Sequence, residues 1–344
     1  MGNKASNVLG PTDQLRTAEE IKREKQLLIE EARRRLRSNE RLPEVTEHEI
    51  VELGSIADRL TVGSFVEVYL RTDVTRTHYA MKIIVKNQYD DLTEEENKRH
   101  RGLVLRITHA ASVHPFFVGI HFVCHVSMAI ELLLTFQPCG NFRKLCESMK
   151  FLHRDLPFYF AQIVLALEFL HSIGIVHNDV THDNLVVGVD GYLRLTDFST
   201  ATLIGQRAIV RGTFIVLDPV AIETGTSLPL NDWWGLGTLA ALSISKAKIK
   251  LDNNALVLFK RHLRSGFKRY QNDPRTPALY RDFANRLLEI DYLHRLGQER
   301  FGRDGAYSVK NHAIFADIDW NALYEKKYEP KFKLPPVYKP PPIE

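Results

Sequence analysis

The sequence predicts an α+β protein with a small antiparallel sheet lobe followed by a larger, mainly helical lobe. Two observations carry this. Residues 50–87 alternate β-branched and aromatic side chains around Gly63, while from about Gly140 onward the apolar spacing becomes helical. A third is the order itself: strands come first, helices after, with a polar reactive hairpin between them. With 344 residues, 44% hydrophobic and 26% charged, the chain has enough apolar material for two packed lobes.

Taken in order, residues 1–12 are small and polar, and Pro11 separates them from the next segment. Residues 13–38 predict one charged helix, because Leu28, Ala32 and Leu36 recur at helical spacing and charges cover the other faces. Arg33-Arg-Arg-Leu-Arg37 is expected to pair with Glu30, Glu31 and Glu40 on a solvated face. Residues 50–87 read as three strands. Residues 90–110 are polar and then helical. Phe116-Phe-Val118 and Ile130-Glu-Leu-Leu-Leu134 read as paired strands. Phe158 to Leu170 and Asp232 to Ala241 are apolar enough for buried helices, with Trp233 and Trp234 in the core. Pro330 to Glu344 holds six prolines and is expected to be extended. The organisation predicted is an N-terminal helical segment over 1–45, a small lobe over 46–136, a large lobe over 137–320 and a short Pro-rich tail over 321–344.

The net charge, 46 minus 42 or +4, is too small to point to nucleic acid. Cys124, Cys139 and Cys146 lack metal-type spacing and are expected to be thiols in a reducing compartment. No apolar run is long enough to cross a bilayer, and no signal peptide is evident, so a cytosolic protein is expected. Met1-Gly-Asn-Lys-Ala-Ser6 fits the N-myristoylation pattern, making Gly2 a candidate lipidation site with weak membrane contact.

The chemistry-bearing stretch is Val176-His-Asn-Asp-Val-Thr-His-Asp-Asn-Leu185, followed by Asp197-Phe-Ser199. It groups one candidate base, Asp179, with two candidate metal ligands, Asn184 and Asp197. Loops of the form H-R-D-x-x-x-x-N before D-F-G perform phosphoryl transfer in protein kinases. Here the three reactive positions match and their neighbours do not. Upstream, Thr61-Val-Gly-Ser-Phe-Val-Glu-Val68 sits between strand signals, where a phosphate loop would read G-x-G-x-x-G-x-V; only Gly63 is glycine. Ala80-Met-Lys-Ile83 fits the strand pattern whose lysine, here Lys82, grips phosphates. His171, His177 and His182 lie close in sequence, but His177 fills the structural position of the hairpin and no cysteine or clear third ligand joins it, so a metal site is the poorer reading.

Together with Ala161-Gln-Ile-Val-Leu-Ala-Leu-Glu-Phe-Leu-His-Ser172, Gly191-Tyr-Leu-Arg-Leu-Thr-Asp-Phe198, Asp232-Trp-Trp-Gly-Leu-Gly237 and Arg295-Leu-Gly297, these motifs resemble the catalytic subunits of cAMP-dependent protein kinases, AGC-group Ser/Thr kinases, over about residues 50–335. The resemblance implies a bilobal kinase fold, ATP and Mg²⁺ as cofactors, a protein substrate and a regulatory subunit as partner. It implies that Lys82 holds the α and β phosphates and that Gly63 and Ser64 cover them. Val68, Ala80 and Leu133 would line the adenine pocket, Asn184 and Asp197 would hold Mg²⁺, and Asp179 would orient or deprotonate the substrate hydroxyl.

Against the same pattern, Leu105 or Val104 stands where the lysine-pairing glutamate belongs, with Glu94, Glu95 and Glu96 several residues too early. Thr181 replaces a catalytic-loop lysine. Asn178 replaces the arginine that binds an activation-loop phosphate, and Ile209 stands at the phosphorylated position, so that form of regulation is not expected. Ser199 replaces a glycine. Val220 replaces the glutamate that pairs a buried arginine, so Arg295 must find another partner or solvent. Asn141 and Leu242 replace acids that read basic substrate residues, leaving Asp183. Two readings stand: a Ser/Thr kinase of reduced activity, or a pseudokinase that binds partners without phosphotransfer.

Overall fold

The computed structural model describes residues 16–38, 42–44, 56–62, 66–72, 78–85, 92–127, 129–147, 153–208, 216–245, 277–299 and 302–330. The expectations at Gly2, Gly63, Ser64, Ile209 and the Pro-rich end therefore lie outside the described residues. The chain forms two compact units, residues 28–138 and residues 1–27 with 139–344.

The first unit is built on an antiparallel five-stranded sheet ordered β1-β2-β3-β5-β4. Its strands are β1 (Ile56–Val62), β2 (Val66–Thr72), β3 (His78–Val85), β4 (Ile120–His125) and β5 (Ala129–Thr135). Between β3 and β4 lies helix α2 (Glu94–Ala111). Thr93 starts α2 with a capping box: its hydroxyl accepts from the Glu96 N–H, and Glu96 reaches back to the Thr93 backbone at 2.8 Å. The three expected strands over 50–87 are present. The expected strand at Phe116-Phe-Val118 is not. Those residues are buried, but Phe117 N–H donates to His114 O in the turn after α2, Phe117 makes no more than an isolated β-bridge, and the strand starts at Ile120. An apolar triplet after Pro115 signals burial as well as it signals a strand, and here burial holds without a strand.

The second unit is mainly helical. It contains α3 (Phe142–Glu147), α4 (Leu156–Ser172), α5 (Pro219–Thr224), α6 (Pro229–Ser245), α7 (Ala278–Leu287), α8 (Gly305–Lys310) and α9 (Trp320–Tyr324). Two short ladders join β6 (Ile175–Val176) to β9 (Thr202–Leu203) and β7 (Leu185–Val187) to β8 (Leu193–Leu195). Helix α4 is buried around most of its circumference: the consecutive residues Ile163, Val164, Leu165, Ala166 and Leu167, which together sample all its faces, are each 2% exposed or less. Trp233 and Trp234 of α6 are in the core. Gly297 at φ 96° lies against Trp233, where a Cβ would come within 2.5 Å of the indole, so only glycine fits.

In helix α1 (Ala18–Arg37) Ala32 of the expected stripe is buried, Leu28 and Leu36 are partly buried, and Ile21 is buried as well. In the second unit Lys25 donates to Asn321 and lies 4.5 Å from the Tyr324 ring centre. In the first unit Arg35 donates to His109 O, and Glu31 binds both Arg34 and Arg35. Those two arginines hold the Glu31 carboxyl down at about 2. Among the described residues no helix is long and apolar enough to cross a membrane.

Candidate functional site

The hairpin between β6 and β7 hangs from one aspartate. Asp232, wholly buried near the start of α6, accepts the backbone N–H of His177 at 2.9 Å and of Asn178 at 2.8 Å. Its Oδ2 also meets His171 Nε2 at 2.8 Å. Asn178 turns the chain at φ 65°, a left-handed conformation that asparagine tolerates better than most residues. The Asp179 N–H then donates to His177 Nδ1 at 3.3 Å, which makes Nδ1 the acceptor and leaves Nε2–H to donate to Thr196 O at 3.1 Å.

This turn brings Asp179 onto Asn184. The Asn184 amide nitrogen donates to Asp179 Oδ2 and to its backbone oxygen, both at 2.8 Å. The nitrogen is thereby committed, and Oδ1 is the Asn184 atom with metal-ligand chemistry. Thr181 Oγ1 accepts the Asn184 N–H at 3.3 Å, so the residue that replaces a lysine serves the loop's own turn. Thr196 N–H donates to Asn184 O at 2.9 Å and closes the β7–β8 ladder beside Asp197. Asp197 adopts φ 66°, and its Oδ1 accepts the Ser199 N–H at 3.0 Å. Phe198, buried, packs 5.4 Å from His177. Asp179, Asn184 and Asp197 are thus gathered on adjoining turns of one unit. The oxygens of Asn184 and Asp197 are hard donors, suited to a cation that takes part of its shell from phosphate and water. Among the described residues no group of three or more His, Cys, Asp or Glu forms a metal cage. His171, His177 and His182 instead contact Asp232, Thr196 and Ser243 respectively.

In the other unit, register decides which residues share a face. Lys82 pairs with Val68 on β2 and with Leu132 on β5, and Ala80 pairs with Leu134. Val68, Ala80, Lys82, Leu132 and Leu134 therefore share one side of the sheet. Leu133 does not. It pairs with Met81 and is buried on the opposite side with Tyr79, Met81 and Cys124. Of the apolar positions expected beside Lys82, the structure groups Val68 and Ala80 with it and puts Leu134 where Leu133 was expected. No alternating signal was available, because the β5 run Ala-Ile-Glu-Leu-Leu-Leu-Thr is apolar on both sides and hides its own phase. Lys82 is 5% exposed. In α2, Glu94, Glu95 and Glu96 occupy the first turn, and Val104 is buried.

Three further contacts were not legible. Arg295 pairs with Asp218 through Nη1 at 2.7 Å, both side chains fully buried. Its Nε donates to Glu289 O at 2.7 Å, and its guanidinium lies 4.8 Å from the Trp234 ring. Asn178 makes a neutral network: Nδ2 donates to Thr200 O at 3.0 Å and to Thr202 Oγ1 at 3.2 Å, while Oδ1 accepts from Asn231 Nδ2 at 3.0 Å. Asp183 is gripped by Arg143 through Nε at 2.9 Å and Nη2 at 2.6 Å.

With this geometry in place, the comparisons are informative. The protein kinase domain family matches residues 55–312. The chain is 32% identical over 268 residues to the cAMP-dependent protein kinase catalytic subunit of Dictyostelium discoideum, covering 77% of this chain and 40% of that protein. It is 28% identical over 292 residues to ribosomal protein S6 kinase alpha-2 of Mus musculus, covering 81% and 38%. To ribosomal protein S6 kinase alpha-3 of Homo sapiens it is 27% identical over 285 residues, covering 79% and 36%. The chain thus spans two fifths or less of these relatives' lengths.

Proposed function

This chain belongs to the protein kinase family, and from that premise we propose that it is an ATP- and Mg²⁺-dependent Ser/Thr protein kinase of the cAMP-dependent type, with reduced turnover. The observation that carries the reading is the Asn184–Asp179 hydrogen bond beside Asp197, which sets a base and two hard oxygen ligands on adjoining turns.

In this reading Asp179 orients the substrate hydroxyl and accepts its proton as the oxygen bonds to the γ-phosphorus and ADP leaves. Asn184 Oδ1 and the Asp197 carboxylate are the residues that hold Mg²⁺, which when bound offsets phosphate charge. Lys82 offers its ammonium to the α and β phosphates. Gly63 and Ser64 offer backbone N–H groups. Val68, Ala80 and Leu134 face the adenine. Protein kinase domains in general use ATP and Mg²⁺ on protein substrates. The reduced turnover follows from Thr181: a missing preorganised charge slows such chemistry by roughly 10²–10³-fold.

The competing reading is a pseudokinase that binds partners without transfer. Thr181, held by the Asn184 N–H, favours it, since that side chain is engaged in the loop. We further propose acylation of Gly2, a regulatory-subunit partner, and the division at residues 45, 136 and 320.

The test is thermal denaturation with and without Mg·ATP. A gain in Tm that Asp197→Asn and Lys82→Met both abolish supports nucleotide binding. Phosphate transfer to a Ser/Thr peptide array, lost in Asp179→Ala, supports the enzyme. A gain in Tm without transfer selects the pseudokinase, and no gain at millimolar nucleotide overturns the nucleotide site.

A further inference from the structure

Asp183 follows Asp179 by four residues on the same loop, and four residues of chain span at most about 14 Å. Residue 183 therefore lies close enough to Asp179 for a residue neighbouring the acceptor hydroxyl to approach it. That carboxylate is half-exposed, as is its partner Arg143. Arg143, in the first turn of α3, donates through Nε to Oδ1 at 2.9 Å and through Nη2 to Oδ2 at 2.6 Å. Asn141 Nδ2 adds a bond to Oδ1 at 2.9 Å, and its own Oδ1 accepts the Lys144 N–H at 3.1 Å. The clamp is anchored from below. Phe142, wholly buried, stacks on His182, the neighbour of Asp183, at 5.5 Å and 12°.

An exposed acid beside a catalytic base ordinarily attracts cationic side chains. Here both oxygens are engaged by the chain itself, in the bidentate geometry that makes Arg–carboxylate pairs strong. Around the clamp, Arg143 and Lys144 match Asp183 and Glu147 in number, so these four side chains carry no net charge. We infer that Arg143 is a specificity-determining residue: it cancels the Asp183 carboxylate, so that arginine or lysine near the acceptor hydroxyl brings a substrate segment no advantage in binding. This rests on Asp179 being the base that meets the substrate.

The test uses fluorescence anisotropy with two serine peptides, one carrying two arginines before the serine and one carrying alanines there, in Mg·ADP at low salt. The wild-type chain is expected to bind them alike. Arg143→Ala is expected to tighten the arginine peptide about 3- to 10-fold relative to the alanine peptide, the scale of one exposed charge-assisted pair. Adding Asp183→Asn is expected to remove that gain. Arg143→Met keeps the aliphatic stem and controls for loosening of α3. A wild-type preference for the arginine peptide, an unchanged ratio in both Arg143 variants, or no measurable binding of either peptide overturns the inference. Because the readout needs no turnover, a shift in binding with no phosphotransfer separates failure of the kinase reading from failure of this one.

Discussion

Asp218 and Arg295 are far apart in sequence and form a fully buried ion pair at 2.7 Å. Asp218 has a second task, because its Oδ1 also accepts the Val220 N–H and caps α5. Burial pushes its carboxyl above the usual range, against the pull of Arg295. The motif position that would carry a pairing glutamate holds Val220, which is buried and apolar. The partner that Arg295 finds, Asp218, stands two residues before Val220.

Asp218→Ala is expected to destabilise the protein by about 3–5 kcal/mol, since it leaves the Arg295 charge buried without its counter-ion. Urea denaturation measures this; a loss below about 1 kcal/mol would show that water replaces the carboxylate.

Asn178 joins the hairpin to Thr200, Thr202 and Asn231 without using charge. Asn178→Ala strands several buried polar groups, and a cost of about 2–3 kcal/mol is expected. Hydrogen exchange of residues 200–208 should accelerate. Exchange that speeds up everywhere equally would argue against a local tie.

His182 supplies a pH dependence. Burial, with a smaller push from Arg143, lowers its pKa from the ordinary value to about 4. Its folded pKa is depressed, so the neutral ring is favoured by folding. The associated stability is complete above about pH 6.5 and is lost as pH falls toward 4. The shift corresponds to at most about 3 kcal/mol. His182→Asn is expected to flatten the Tm profile in that window, and a mutant profile parallel to the wild type would assign the slope to other groups.

Asn184→Leu removes the brace on Asp179 and the side-chain oxygen proposed as a cation ligand. The Mg·ATP stabilisation is expected to fall to the level of nucleotide alone, with little change in Tm without ligand. Calorimetric Mg²⁺ titration in saturating ATP analogue checks it; unchanged Mg²⁺ affinity would remove Asn184 from the metal site.

What the sequence alone determined is what local periodicity and spacing encode. The strands β1, β2, β3 and β5 of the first unit, the buried helices α4 and α6, and the hairpin carrying Asp179 and Asn184 could be read from neighbours within a few positions, whereas β4 was expected several residues too early. The tertiary structure decided the partners. Arg295 found Asp218, Asn178 found Thr200 and Asn231, and Asp183 found Arg143, each across at least 22 positions of chain. It also fixed the phase of β5, putting Leu134 and not Leu133 on the side of Ala80. An apolar strand buried on both faces has no alternation to read, and a buried polar group is satisfied by whichever donor or acceptor the packing delivers.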